Sequence, residues 1–319
     1  MKLKQLLCAM LGSLVPMLAS AQAFPSKTIT IVVGGTAGSA TDGLARAIAQ
    51  EITSETKAPV IIDNKPGANG AIAAQAVARS TPDGYTVFMT TNTTQAANPH
   101  LYKKLPYDPV KDFVPVGAIA KGYLVMVTTP NLPAKSIADV ISLAKKEPGK
   151  LSFGAGTSSS RVAVELVQQM TGAELLYVPY KANPPAVTDL IGGQIDMMIV
   201  DLATTMSHVK SGKLKALGVT SPKRSPLAPE LPTLSESGLP GYEMSYWNAL
   251  YAPAGTPAAT VKRLNELLTR ATQTDSVRKY MTQTGMEIYT TTPEGLASFQ
   301  MAELSRWGSI IKKAGIQPE

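Results

Sequence analysis

Residues 28–42 have the sequence Thr-Ile-Thr-Ile-Val-Val-Gly-Gly-Thr-Ala-Gly-Ser-Ala-Thr-Asp, and this stretch decides the fold class. The apolar run Thr28–Val33 is typical of a buried β-strand, and the small residues after it are typical of a turn. In the residues that follow, Leu44, Ile48 and Ile52 recur every four positions, which predicts one face of an α-helix. A strand, a turn and a helix in this order form the repeating unit of parallel α/β sheets.

The same alternation continues along the chain. Val60–Ile62 and Tyr85–Thr90 predict two more strands, with an alanine-rich helix around Ile72 between them. This βαβαβ rhythm predicts a largely parallel, doubly wound sheet. A second set begins with the predicted strand Leu124–Thr128 and the predicted helix Ser136–Lys146. The length of 319 residues fits two such α/β domains.

Composition excludes several classes of protein. The chain has 30 Lys+Arg and 23 Asp+Glu residues, a formal net charge of +7, and 44% hydrophobic residues, which is the balance of a globular protein. With one cysteine and two histidines, the chain lacks the residues for a zinc cluster, an iron–sulfur centre or a Cys–His nucleophile. We therefore predict neither a metal site nor a cofactor. The basic residues are spread out and aromatic residues make up only 6%, which argues against nucleic-acid binding.

The N-terminus predicts a secretory signal peptide. Lys2 and Lys4 precede the apolar run Leu6–Leu18, and Ala19–Ala23 ends in the small residues of a cleavage site. A membrane-spanning helix is the alternative, but the apolar run is too short for one. We expect residues 1–23 to be removed on export.

Two loops between a predicted strand and a predicted helix have the composition of anion-binding sites. In the first, Gly34–Asp42, small residues let backbone N–H groups approach a ligand, and the helix N-terminus adds partial positive charge. The loop matches neither a dinucleotide-binding fingerprint nor a phosphate-binding P-loop. A second interpretation stays open, because Ser39 and Asp42 have the spacing of a capping box that serves only the helix backbone.

The second loop, Gly154–Arg161, brings four consecutive hydroxyl residues and a guanidinium to another helix start. Hydroxyl and guanidinium groups are both hydrogen-bond donors to carboxylates. The alternative for Arg161 is an ordinary solvated arginine on the surface. Because a buried carboxylate must be hydrogen-bonded, two such loops facing each other would hold a small organic acid without a metal.

Catalytic motifs are absent from the sequence, which contains neither Gly-x-Ser-x-Gly nor His-Glu-x-x-His. Asp189, Asp196 and Asp201 surround one predicted strand and could form an acid–base group, but residues at the edges of a helix or strand are the simpler interpretation. Tyr246 and Trp247 either stack on an aromatic ligand or belong to the core. We predict that the protein is not an enzyme.

A series of motifs in fixed order resembles the substrate receptors of tripartite tricarboxylate transporters, often called Bug receptors. The resemblance covers essentially the whole mature chain. Besides the first loop, its motifs are Phe24–Ile29, Asn64–Gly70, Pro82–Tyr85, Asn98–Tyr102, Leu105–Pro109, Val178–Lys181, Gly192–Asp196, Lys213–Leu217, Pro232–Thr233, Pro240–Tyr242, Trp247 and Ala252–Pro257.

The resemblance implies a two-lobed type II periplasmic-binding-protein fold, with mostly parallel sheets and crossing strands between the lobes. It implies that residues 24–125 and 246–319 form lobe 1 and that residues 126–245 form lobe 2. The expected function is that of a monomeric periplasmic receptor, which captures a small organic carboxylate and delivers it to the membrane subunits of the transporter. The alternative is a ligand sensor of the same fold that docks on a signalling protein.

The resemblance also implies which residues bind the ligand. The loop positions are Thr36, Ala37, Gly38, Ser39 and Asp42 in lobe 1 and Thr157, Ser158 and Ser159 in lobe 2. Thr91, Asn92 and Asp201 occupy positions that discriminate between ligands. The chain departs from the family in its shorter serine-rich loop and in Arg161, which stands where the family usually has histidine. If Arg161 faces the cleft, a second acidic group on the ligand is expected, and hence a dicarboxylate.

Overall fold

The computed structural model of the protein describes residues 24–318. The predicted signal peptide, residues 1–23, lies outside the described residues. None of the helices in the described part combines the length and the apolar character that a membrane crossing requires.

The described residues form ten strands and ten α-helices. The strands are β1 (Ile29–Val33), β2 (Val60–Asn64), β3 (Thr86–Thr91), β4 (Phe113–Thr128), β5 (Ser152–Ala155), β6 (Leu176–Pro179), β7 (Met197–Asp201), β8 (Lys215–Val219), β9 (Ser245–Pro253) and β10 (Met286–Ile288). The helices are α1 (Ala40–Thr56), α2 (Ala71–Ala78), α3 (Asn98–Leu101), α4 (Ile137–Lys146), α5 (Ser158–Thr171), α6 (Asn183–Ile191), α7 (Leu202–Lys210), α8 (Ala258–Gln273), α9 (Asp275–Thr284) and α10 (Pro293–Lys313). A π-helical turn, Thr93–Ala97, follows β3.

The strands form one continuous sheet in the order β2-β1-β3-β9-β4-β7-β5-β6. The outer strands β2-β1-β3 and β7-β5-β6 are parallel, as the βαβ rhythm predicts. The central strands β9 and β4 are antiparallel to each other and to their other neighbours. The sheet is therefore mixed, with parallel flanks and an antiparallel centre.

Strand β4 belongs to both halves of the sheet. Its residues 113–123 pair with β9 in the first half, together with β1, β2, β3 and β10. Its residues 124–128 pair with β7 and β8 in the second half, which also contains β5 and β6. Strand β9 returns the chain to the first half, where it pairs with β3. The C-terminal region thus completes the first half.

The sequence predicts β4 only from Leu124, whereas the structure begins it at Phe113. Pro115, Gly117 and Gly122 interrupt the apolar pattern of its first part, so the sequence does not resemble a strand there. In the structure, shifts in the register with β9 near Pro115 and Ala118 accommodate this irregular stretch. Long-range pairing overrides the weak local preference.

Helix α10 is fixed to the crossing strand β9 through one buried carboxylate. Glu303 is only 5% exposed and accepts hydrogen bonds from the indole N–H groups of Trp247 (2.9 Å) and Trp307 (3.2 Å). Arg306 pairs with its other oxygen at 3.3 Å. The ring of Trp247 packs against Phe299 of the same helix. These contacts confirm the core interpretation for Trp247.

Replacement of Glu303 by alanine is predicted to destabilise the fold. The substitution leaves two buried indole N–H donors without an acceptor, which should cost about 2–5 kcal/mol in the free energy of unfolding. Thermal unfolding of Glu303→Ala, compared with the exposed control Glu174→Ala, measures the effect. Equal unfolding temperatures of the two variants would contradict this role.

Candidate ligand-binding site

A cleft of about 760 Å³, counted to its open mouth, lies between the two halves of the sheet. Its walls come from strand ends and helix starts on both sides, and the crossing strands supply Leu124 and Tyr246. The first half contributes Gly34–Gly35, Ser39–Thr41, Asn69–Gly70, Met89–Thr91 and Thr93–Thr94, and the second half contributes Gly156–Thr157, Ser159, Lys181–Asn183 and Asp201. This is the edge of an α/β sheet at which ligands usually bind.

The start of α1 presents unpaired backbone donors to the cleft. Ser39 caps the helix, and its hydroxyl oxygen accepts the N–H of Asp42 at 3.3 Å. The first N–H groups of a helix have no carbonyl partner within it. Of these groups, the N–H donors of Ala40 and Thr41 belong to residues that line the cleft.

The start of α5 repeats this arrangement on the opposite wall. Thr157 caps the helix, and its hydroxyl oxygen accepts the N–H of Ser160 at 3.2 Å. The N–H groups of Ser158 and Ser159 are therefore left at the helix start, and both Thr157 and Ser159 line the cleft. Gly156 allows a close approach of two loops, because a Cβ on it would lie 1.9 Å from the carbonyl carbon of Ala182.

Two further helices begin at the same cleft. Helix α6 starts after Ala182 and α7 starts after Asp201, and both of these residues line the cavity. Because a helix N-terminus carries about half a positive charge, the starts of α1 and α5 favour an anion. The Asp201 carboxylate offsets the charge at the start of α7, and Pro184 and Pro185 remove two N–H donors from the start of α6. Among the lining residues that the structure describes, Lys181 is the one basic side chain and Asp201 the one acidic side chain.

Asp42 supports the first loop from outside the cleft lining. Its carboxylate accepts hydrogen bonds from the Gly38 N–H (3.0 Å), from Arg46 (3.1 Å) and from Asn64 (3.0 Å). Burial raises the pKa of Asp42, but these donors outweigh it and hold the pKa below its ordinary value. The geometry matches the capping interpretation of the Ser39–Asp42 pair, in which Asp42 serves the loop backbone.

Arg161 also lies outside the cleft lining, so the second clamp expected at this position stays a prediction. Its guanidinium carbon stands 4.6 Å from the ring centre of Tyr177, and its Nε lies 3.9 Å from a carboxylate oxygen of Glu165. The side chain follows the body of α5 away from the helix start. The basic side chain at the cleft is Lys181 instead.

The other residues implied by the resemblance divide into two groups. Those that line the cleft are Ser39, Thr91, Thr157, Ser159 and Asp201. Those that lie beside or behind it are Thr36, Ala37, Gly38, Asn92 and Ser158, in addition to Asp42 and Arg161. Ala37 and Gly38 are exposed at the tip of the first loop.

Asn92 and Ser158 connect the two halves behind the cleft. The side-chain NH2 of Asn92 donates to the Ser159 hydroxyl at 2.9 Å, and its side-chain oxygen accepts the backbone N–H of Trp247 at 3.3 Å. The Ser158 hydroxyl donates to Asn98 at 3.0 Å. These buried bonds hold the start of α5 against the first half of the sheet.

The three aspartates near β7 do not form one acid–base group. Asp189 accepts the Tyr180 hydroxyl at 2.7 Å, and Asp196 accepts the Ser152 hydroxyl at 2.8 Å. Asp201 caps α7 and accepts the Thr204 N–H at 2.9 Å. Each carboxylate thus has a separate hydrogen-bond partner.

Several lining residues are missing from the sequence-based set, including Asn69, Gly70, Lys181 and Tyr246. Asn69 and Gly70 have left-handed backbone conformations, with φ of 49° and 80°. Their Asn-Gly pair follows β2, so a turn at the same sheet edge is a signal that the sequence does contain. The sequence leaves Tyr246 and Trp247 open as either ligand-contacting or core residues. The structure separates them, because Tyr246 lines the cleft and Trp247 does not.

Residues 44–316 match the model of the tripartite tricarboxylate transporter family receptor. The chain belongs to this family. It is 33% identical over 299 residues to the protein BugT of Bordetella pertussis, an alignment that covers 93% of this chain and 92% of BugT.

Two solved structures closely resemble this one. The structure of R. palustris Rpa4515 with adipate has 36% identity and a TM-score of 0.90, and the match covers 93% of this chain and 100% of that chain. The structure of MatC (Rpa3494) from Rhodopseudomonas palustris with bound malate has 31% identity and a TM-score of 0.86, and the match covers 90% of this chain and 100% of that chain. The predicted fold class is confirmed, and so is the prediction of a receptor rather than an enzyme.

The Asp42 carboxylate should make the stability of this family receptor depend on acid pH. Since its folded-state pKa lies below the ordinary value, its contribution is complete above pH 5 or so and is lost as the pH falls through the folded-state pKa. As the pH is lowered from about 5 to about 2, the free energy of unfolding of Asp42→Asn should therefore fall less than that of the wild type. Urea unfolding across this range measures the difference, and parallel losses in both proteins would contradict the assignment.

Proposed function

We propose that this protein is an exported periplasmic receptor that binds a small organic carboxylate in the cleft. In this proposal the receptor acts as a monomer and delivers the acid to the membrane subunits of a tripartite tricarboxylate transporter. The convergence of the α1 and α5 starts on one cleft is the observation that carries the proposal. Family membership supports the transporter as the partner.

The energetics of carboxylate burial explain why these donors matter. A carboxylate that leaves water loses its hydration, which costs several kcal/mol unless hydrogen bonds replace it. Hydrogen bonds to a charged group contribute about 1.5–3 kcal/mol each. Two backbone N–H donors from α1 and two from α5 can therefore offset the loss, with help from the helix dipoles.

We further propose that the ligand is a dicarboxylate. The receptors with adipate and with malate, which both resemble this chain closely, support the class of ligand. Lys181 supports a second acidic group, because it is an exposed cation on the wall beside the α5 start. Tyr180, the residue before Lys181, is held in place by the hydrogen bond that its hydroxyl donates to Asp189.

The two halves of the sheet act as lobes in this proposal, with residues 24–125 and 246–319 in one and 126–245 in the other. The switch of β4 from one half to the other at residues 123–124 supports the first boundary, and the start of β9 at Ser245 supports the second. A ligand that touches both walls stabilises the closed form and shifts the population toward it.

Removal of one backbone donor tests the anion site directly. Ala40→Pro deletes the first N–H of α1 at a helix position that proline tolerates. We expect roughly 10- to 100-fold weaker binding of malate or adipate by calorimetry, at an unchanged unfolding temperature. The control Ala258→Pro makes the same change at the start of α8, away from the cleft. Equal affinities of the two variants would overturn the proposal.

The proposal predicts that replacing Lys181 affects the binding of the second carboxylate and that replacing Arg161 does not. Lys181→Ala should weaken adipate binding roughly two- to five-fold more than hexanoate binding, because an exposed ion pair contributes about 0.2–1 kcal/mol. Arg161→Ala should leave the ratio of the two affinities unchanged. Calorimetric titration of both variants with both acids measures the ratios. A changed ratio for Arg161→Ala alone would restore this arginine as the second clamp.

A further inference from the structure

Two hydroxyl groups at the cleft, those of Thr93 and Tyr246, lack a hydrogen-bond partner within the described residues. Tyr246 lines the cleft, is only 5% exposed, and its hydroxyl is fully buried without a partner. A buried polar group left unpaired costs about 1–3 kcal/mol. Such a group at the wall of a binding cleft is therefore expected to bond to what enters the cleft.

The position of this hydroxyl is fixed by the missing side chain of Gly122. Gly122 and Tyr246 face each other in the β4–β9 ladder. A Cβ on Gly122 would lie 2.4 Å from both the ring carbon Cζ and the hydroxyl oxygen of Tyr246. The phenol ring therefore lies flat against the backbone of β4, at the point where this strand passes from one half of the sheet to the other.

The pleat of β9 directs Tyr246 toward the cleft. Successive side chains of a strand point to opposite faces. Trp247 points to α10, where it donates to Glu303, so Tyr246 and Asn248 point the other way. Asn248 accepts the hydroxyl of Thr41 at 3.0 Å, which places this face of β9 beside the start of α1. The Tyr246 hydroxyl thus shares the cleft with the donors that hold the carboxylate.

The surroundings of this hydroxyl favour a hydrogen-bond donor on the ligand. Burial, together with the negative charge of Asp201, raises the pKa of Tyr246 well above its ordinary value, so the phenol stays neutral. Asp201 itself accepts bonds from the Thr204 N–H and, at 3.3 Å, from Asn183. A ligand carboxylate next to Asp201 would be repelled, whereas a hydroxyl or ammonium group would be attracted.

We propose that Tyr246 is a specificity-determining residue, which selects acids with a hydrogen-bond donor on the carbon next to the bound carboxylate. The inference rests on the proposed function and refines the ligand class to hydroxy or amino dicarboxylates. A site built to bond a ligand hydroxyl discriminates strongly against the analogue that lacks it. The second carboxylate is directed to Lys181 and away from Asp201.

Three four-carbon acids that differ only at one carbon test the inference. Malate carries a hydroxyl there, aspartate an ammonium group and succinate only hydrogens. Wild-type protein should bind malate or aspartate at least about ten-fold more tightly than succinate. Tyr246→Phe keeps the ring but removes the hydroxyl, and it should reduce this preference to within about three-fold while leaving the succinate affinity unchanged. Calorimetry gives the six dissociation constants.

Tyr251→Phe is the matched control. Tyr251 lies on the same strand with a buried hydroxyl that also lacks a partner, but it packs in the core against Phe113. Its substitution should leave the preference intact. A wild type that binds all three acids equally, or an equal loss for all three in Tyr246→Phe, would overturn the inference alone. Binding of adipate but of none of these three acids by the wild type would also overturn the inference alone, whereas binding of neither adipate nor any of the three would overturn the proposed function with it.

Discussion

The loss of hydration by a buried carboxylate is the constraint on which the proposed site depends. The protein meets it with backbone groups, since helices α1 and α5 both begin at the cleft, one on each wall. Backbone N–H groups at helix starts are fixed by the fold and cost no side-chain entropy when they bind. This arrangement explains why, in the part of the chain that the structure describes, Lys181 is the one basic side chain that lines the cleft, although the chain as a whole is basic.

The crossing strands combine two tasks. Strand β4 is central in both halves of the sheet, and β9 carries Tyr246 toward the cleft and Trp247 toward α10. The strand that would define the floor of the site is therefore also anchored to the C-terminal helix through Glu303. The Asn92–Ser159 bond adds a direct link between the α5 start and the first half. Ligand contacts and the connection between the halves thus share the same few residues.

Much of the fold is predictable from local patterns. Strands β1, β2 and β3 begin within one residue of their predicted starts, and α1 contains the predicted apolar positions Leu44, Ile48 and Ile52, because apolar period and turn residues agree there. The first part of β4 is not predictable, since Pro115 and Gly122 fit a strand only through their pairing with β9. Helix α6 escapes notice because its sequence begins Asn-Pro-Pro, which locally favours a turn.

The site is predictable in its loops but less so in its side chains. Ser39, Thr157 and Ser159 are found because the composition of the two loops and the family resemblance both point to the residues that precede α1 and begin α5. Arg161 lies one position beyond the first three residues of α5, and a helix turns by about 100° per residue, so adjacency in sequence does not carry it to the cleft. A crystal structure with bound malate tests the central claim most directly. One malate carboxylate should lie within hydrogen-bonding reach of the N–H groups at the starts of α1 and α5, directly or through one water. A carboxylate bound to Arg161, or outside the cleft, would contradict the account.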